Sequence, residues 1–205
     1  MNKKGLLIVI SGFSGVGKGT VVKRLVQDYG YSLSISATTR APREGEVDGR
    51  EYYFKSRDEF MNLIDYNGFI EWAVYVENYY GTPRAFVEKE LAVGHNVILE
   101  IEVQGAMNIK RQYPDAVLIF LTAPSAAELK HRLVGRGTEN PAVVEKRMKR
   151  AQEESDNMDQ YEYIIVNDDL DQCVKDVNSV IVAKGCMAEQ NIAFMNQMKE
   201  ELKAL

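Results

Sequence analysis

The sequence predicts an α/β domain: a parallel sheet flanked by helices, with a small, mostly β lobe inserted into it. Three observations carry that prediction. Short aliphatic runs alternate along the chain with segments of helical periodicity. The first such run ends in a glycine-rich turn that opens straight into a helix. The stretch from about 40 to 88 breaks the alternation, being rich in Tyr and Gly and punctuated by Pro42 and Pro83.

Leu6 to Ile10 is a continuous aliphatic run, as expected of a central parallel strand buried on both faces. After the glycine turn, Val22 and Val26 mark one face of a helix. The runs 96–101, 116–121 and 163–166 are further strands, and helical patterns cover about 103–112, 125–135, 141–156 and 169–183. Within 40–88 only 57–65 has helical spacing. The segment 137–156 is strongly charged, with Val144, Met148 and Ala151 on one apolar stripe, so it is read as an exposed amphipathic helix. Beyond about 187, Met195, Met198, Leu202 and Leu205 recur at helical spacing. That tail is expected to dock on the core, the competing reading being a contact between copies in a homo-oligomer.

With 205 residues the chain suits one well-buried domain. Its 45% hydrophobic and 27% charged content is that of an ordinary globular protein. No run approaches the roughly 18 apolar residues of a membrane span. The N-terminal run is about six residues and has no cleavage site after it, so it is read as a buried strand of a cytoplasmic protein rather than a signal peptide. A net charge of -5 argues against general nucleic-acid binding. Cys173 and Cys186 have no paired neighbours, which makes disulfide or zinc chemistry a weak reading.

The turn Gly12, Phe13, Ser14, Gly15, Val16, Gly17, Lys18, Gly19, Thr20 carries the strongest chemistry. Glycines let successive backbone N–H groups point inward around an anion, and the helix that follows adds its positive end. Lys18 supplies a mobile charge for the β- and γ-phosphates. This is a P-loop between a strand and a helix, and it implies nucleotide phosphate binding without naming the acceptor. One feature departs from the usual pattern. The position after Lys18 is Gly19, and the hydroxyl usually placed on Mg2+ arrives one residue later at Thr20. The metal must then lean on phosphate oxygens and water.

A second constellation fills the lobe. Arg40 and Arg43, with Pro42 between them, can aim two guanidinium forks at one phosphate, and Tyr52 adds a hydroxyl. Glu71, Tyr80 and Thr82 follow in the same lobe. A carboxylate matches guanine, whose N1–H and N2 amino group are adjacent donors, whereas adenine would face it with a lone pair. Hydroxyls at Ser36 and Thr82 are candidates for O6.

The segments SISATTRAPREGEVDGREYYF, FIEWA, NYYGT, ILEIEVQGA, GRGTE and VNDDL occur in the order and spacing of the guanylate kinase family, and the likeness covers roughly residues 5–184. The chain thus resembles that family. The resemblance implies a P-loop NTPase core (1–39, 89–136 and 157–205), a GMP-binding lobe (40–88) and a helical lid (137–156). It implies transfer of phosphate from ATP to GMP with Mg2+ and no tightly bound organic cofactor. By the same resemblance, Ser36, Arg40, Arg43, Glu46, Tyr52, Glu71, Tyr80 and Thr82 match GMP-binding positions. Glu100 matches a position near the magnesium water shell, and Glu102 one near GMP. Arg136 and Arg147 match lid arginines, and Asn167 the adenine-side position.

Phosphoryl transfer needs positioning and neutralised charge rather than a base, because the attacking phosphate of GMP has a second pKa of about 6. His95 and His131 are therefore expected to be non-catalytic. Two alternatives stay open on sequence: a kinase for another nucleoside monophosphate, and a non-catalytic module that binds phosphorylated partners. The intact P-loop and Lys18 speak against the second.

Overall fold

The computed structural model describes residues 4–75, 77–135 and 141–205. In chain order the elements are β1 (Leu7–Gly12), α1 (Lys18–Tyr29), β2 (Ser32–Leu33), β3 (Ala37–Thr38), β4 (Tyr53–Phe54), α2 (Arg57–Asp65), β5 (Phe69–Tyr75), β6 (Asn78–Pro83) and α3 (Arg84–Ala92). There follow β7 (Val97–Glu100), α4 (Val103–Gln112), β8 (Val117–Thr122), α5 (Ala126–Gly135), α6 (Pro141–Ser155), β9 (Tyr163–Val166), α7 (Leu170–Gly185) and α8 (Ile192–Lys203).

The larger sheet has the order β2-β7-β1-β8-β9, and every pairing in it is parallel. Ile8, Val9 and Ile10 are fully buried because helices cover both faces of β1, which is why that strand reads as an unbroken aliphatic run. Parallel register brings the C-terminal ends of β1, β7, β8 and β9 to one edge of the sheet. From β1 the chain runs to β2 on one side, and from β7 it crosses β1 to reach β8 on the other, which makes this the switch point at which open α/β sheets bind ligands.

The smaller sheet, β4-β3-β6-β5, is mixed. It has its own core of Ala37, Phe60 and Phe69, the two rings stacked 4.5 Å apart. Phe60 is held there by α2, which starts on a capping box. Ser56 Oγ accepts from the Glu59 N–H at 3.2 Å, and Glu59 Oε2 accepts from the Ser56 N–H at 2.7 Å. This sheet begins at Ala37 and ends at Pro83, a few residues inside one edge of the expected 40–88 and outside the other. The helix α3, absent from the sequence reading, sends Val87 and Leu91 into the main core instead.

The tail is a helix, as its spacing predicts, but it does not dock as expected. No residue of α8 is buried, and Ile192, Phe194, Met198 and Leu202 stay exposed. Helical periodicity identifies an apolar stripe without supplying a surface to cover it. No helix among the described residues is long and apolar enough to cross a membrane.

Candidate active site

The phosphate loop closes between β1 and α1. Gly15 and Gly17 adopt φ of 88° and 94°, values that L side chains resist. Gly17 is also the N-cap of α1, and a Cβ there would lie 2.8 Å from Asn167 Nδ2. Asn167 is buried at the end of β9 and donates that Nδ2 to Val16 O at 2.8 Å, so β9 braces the loop. Lys18 folds over the loop and donates Nζ to Gly12 O at 2.6 Å and Phe13 O at 3.3 Å. A cavity of about 490 Å³ opens beside it, between Gly15, Thr20, His131, Arg132 and Asn167. Arg132 was not singled out from sequence. It is held by Glu128 Oε1 at 2.7 Å and by Asn167 O at 2.7 Å, so it lines this cavity as a fixed cation.

Below the loop, β7 ends at Glu100. Both its carboxylate oxygens lie 3.7 Å from where a Cβ on Gly19 would be, beneath the position that lacks the usual hydroxyl. Burial pushes the Glu100 carboxyl up and the neighbouring charge of Glu102 adds to this, while Lys18 pulls it down.

The small sheet presents the other half of the cleft. Along β5 the side chains alternate: Trp72 and Val74 are exposed, and Glu71 turns inward. Pairing with β6 sets Glu71 opposite Thr82 and Ala73 opposite Tyr80. Thr82 Oγ1 donates to Glu71 Oε1 at 2.7 Å, and both residues are buried. Burial pushes the Glu71 carboxyl up to about 7, offset only in part by hydrogen bonds from Thr82.

Arg40, just beyond β3, donates Nη2 to both Glu46 oxygens at 2.9 Å and packs over Tyr52, 5.4 Å from the ring centroid. Glu46 also accepts the Arg43 N–H at 2.7 Å. Glu46 thus shapes the arginine turn from within, as a clamp on Arg40. Burial raises Glu46, yet the Arg43 N–H and the Arg40 guanidinium outweigh it and hold the carboxyl low. Arg43 itself is exposed, and Ser36 is half-buried beside β3.

Tyr52 links the halves. Its phenol is pushed up to about 12, first by burial, then by the charge of Glu100, with Tyr80 and Glu102 adding and Arg40 opposing. Glu100 in turn feels Lys18, so charge on the loop side and charge on the small sheet both act on the Glu100–Tyr52 pair.

The helix α6 reaches across to β5. Arg150 sits 3.6 Å over the Tyr75 ring of β5 and donates Nε to Glu154 Oε1 at 3.0 Å. The charges of Arg150 and Arg147 oppose the upward push that burial gives the Tyr75 phenol. Glu154 is buried, and its Oε2 has no hydrogen-bond partner among the described residues. The other expected lid arginine, Arg136, and residues 137–140 lie outside the described residues.

A phosphate loop, a buried carboxylate and paired cations on one cleft describe a phosphotransferase, and comparison with known sequences narrows the class. The sequence model of the guanylate kinase family matches residues 4–184. The chain belongs to the guanylate kinase family. Curated guanylate kinases are similar over nearly the whole length. One from Bacillus cereus is 49% identical, covering 98% of this chain and 99% of the relative. One from Bacillus subtilis is 48% identical, covering 93% and 94%. The crystal structure of a guanylate kinase from Anaplasma phagocytophilum superposes with a TM-score of 0.77 at 31% identity, covering 91% of this chain and 89% of that one. The guanylate kinase architecture accounts for the parallel sheet as a P-loop NTPase core, with the smaller sheet inserted between β2 and β7 in the chain.

Proposed function

We infer that this chain transfers the γ-phosphoryl group of ATP to the phosphate of GMP, giving ADP and GDP, as a cytoplasmic enzyme that recycles GMP. The observation that carries the choice of acceptor is Glu71, a buried carboxylate paired with Thr82 on the small sheet. A buried carboxylate with no ion-pair partner among the described residues is costly unless a ligand supplies donors. Guanine supplies two, N1–H and the N2 amino group. Thr82 spends its hydroxyl proton on Glu71, which leaves Ser36 as the donor suited to guanine O6.

In this reading the chain works as three parts: the α/β core holds ATP, the small sheet holds GMP, and α6 is the lid. Arg40, preset by Glu46, and Arg43 neutralise the acceptor phosphate with Tyr52 and Tyr80, and Glu102 faces the same nucleotide. Lys18 and the loop N–H groups of Gly12 to Thr20 take the donor phosphates, with Asn167 on the adenine side. Arg136 and Arg147 bring lid charge to the transfer site, and closing the lid keeps water from competing as acceptor.

Magnesium fits the donor set as ATP's companion. Glu100 and the Thr20 hydroxyl are hard oxygen groups beside the loop, suited to a metal that keeps its waters. Among the described residues no group of three His, Cys, Asp or Glu side chains could hold a metal alone, so the phosphates would supply the rest. When bound, the ion neutralises charge on the β- and γ-phosphates.

The test is ADP release with ATP and magnesium against GMP, AMP, CMP and UMP in turn. GMP is expected to be the preferred acceptor by orders of magnitude, and equal rates with AMP would sink the assignment. Arg147→Ala is expected to lower kcat by about a hundredfold while changing KM for GMP by less than about threefold. Matching changes in both constants would make the arginine a binding group only.

A further inference from the structure

Glu71 is reached from behind by α4. Gly105, the third residue of that helix, is buried, and a Cβ added to it would lie 2.7 Å from Glu71 Oε2 and 3.3 Å from Cδ. The first of those distances is closer than real Cβ contacts come, so something would have to shift. The carboxylate has little room to shift. It is 5% exposed and tied by its other oxygen to Thr82 at 2.7 Å. The third neighbour of the added carbon would be Ile101 Cδ1 at 3.4 Å, closing the slot on that side.

We propose that Gly105 is a specificity-determining position: its missing side chain forms the slot that lets Glu71 present both oxygens to an incoming base. This deepens the proposed function and rests on its assignment of Glu71 to guanine. The backbone gives no other reason for glycine at this position. Gly105 lies in a regular helix and has no left-handed φ. In such a position alanine is the better helix former, so by local propensity the change should raise stability. Helix preference and carboxylate placement therefore point in opposite directions. Filling the slot leaves β5 two responses. Glu71 can rotate off Thr82, or the strand can lift from α4. Either way two oxygens aimed at two adjacent donors lose their common plane.

The probe that isolates this effect is IMP, which keeps N1–H and O6 but lacks the 2-amino group. The experiment compares wild type, Gly105→Ala, Glu71→Gln and the double variant Gly105→Ala with Glu71→Asp. Each is assayed for kcat/KM with GMP and IMP and for KM of ATP, and followed by thermal unfolding. Gly105→Ala is expected to lose about thirtyfold in kcat/KM for GMP, to lower the GMP:IMP preference by about tenfold, and to leave KM for ATP unchanged. Its Tm should stay at or above that of wild type. The double variant, whose carboxylate is one methylene shorter, should regain part of the GMP:IMP preference. A wild-type preference in Gly105→Ala beside a lost one in Glu71→Gln would overturn the inference and leave the function intact. A wild-type preference in Glu71→Gln would instead remove the assignment of Glu71. Should Gly105→Ala fail to fold, recovery of folding in the double variant supports the slot, and failure of both overturns it.

Discussion

Replacing Lys18 with alanine is expected to lower kcat by about a thousandfold, the scale on which a positioned cation acts on a transferring phosphoryl group. The affinity for ATP should fall far less, because the loop N–H groups and the positive end of α1 still hold the phosphates. Stability should hardly change, since the hydrogen bonds lost are two from Lys18 Nζ to Gly12 O and Phe13 O at a half-buried site. Those contacts show the lysine stored against its own loop, within reach of an arriving nucleotide. Arginine should not restore the rate. Its planar fork cannot replace a compact ammonium between a glycine loop and the half-buried carboxylate of Glu100. Steady-state ADP release with ATP and GMP, beside equilibrium titration of ATP, separates the two effects. A kcat within about tenfold of wild type would mean that the loop, not the lysine, carries the donor-side charge.

Why the loop was legible and other parts were not follows from where the deciding interactions lie. The turn after β1 needs positive φ at Gly15 and Gly17, and glycine itself reports that need. Helix α4 matches the expected 103–112 because its apolar positions repeat within ten residues. Helix α3 gave no such signal: only Val87 and Leu91 are buried, and both belong to a core built by distant strands. Glu154 reads as one charge among many on an exposed face. It lies three residues beyond Ala151 on the buried stripe, where Arg150 meets it after crossing to Tyr75 of β5. Glu46 illustrates the same limit in the site. Its match to the family names the position, but the geometry gives it the work of holding Arg40. Local periodicity and turn chemistry are written in sequence. Partners brought together by the meeting of two sheets are not.

Glu71→Gln should raise KM for GMP by about a hundredfold at pH 8, since an amide sets a donor against one of guanine's two donors. The wild type should approach the same defect as pH falls. With the Glu71 carboxyl pushed up to about 7, a neutral acid prevails in the free enzyme below that pH, and one of its oxygens becomes a donor. KM for GMP is therefore expected to rise by about tenfold for each pH unit below about 7, with the phosphate of GMP adding its own effect near about 6. Glu71→Gln should lose the first of these dependences and keep the second. Glu100 is also raised by burial, with Lys18 opposing, and any pH dependence it adds should persist in Glu71→Gln. Stability without nucleotide must run the other way. A carboxyl raised from 4.5 to about 7 keeps its proton in the folded chain while the unfolded chain releases it. Between those values the native state binds more protons, so its stability falls as pH rises. The two slopes share one cause: the ionised carboxylate that guanine requires is the form that burial opposes, and the nucleotide supplies what the empty site lacks. A GMP KM constant from pH 6 to 8, or an apo stability of Glu71→Gln that declines as steeply as wild type over that range, would break the link.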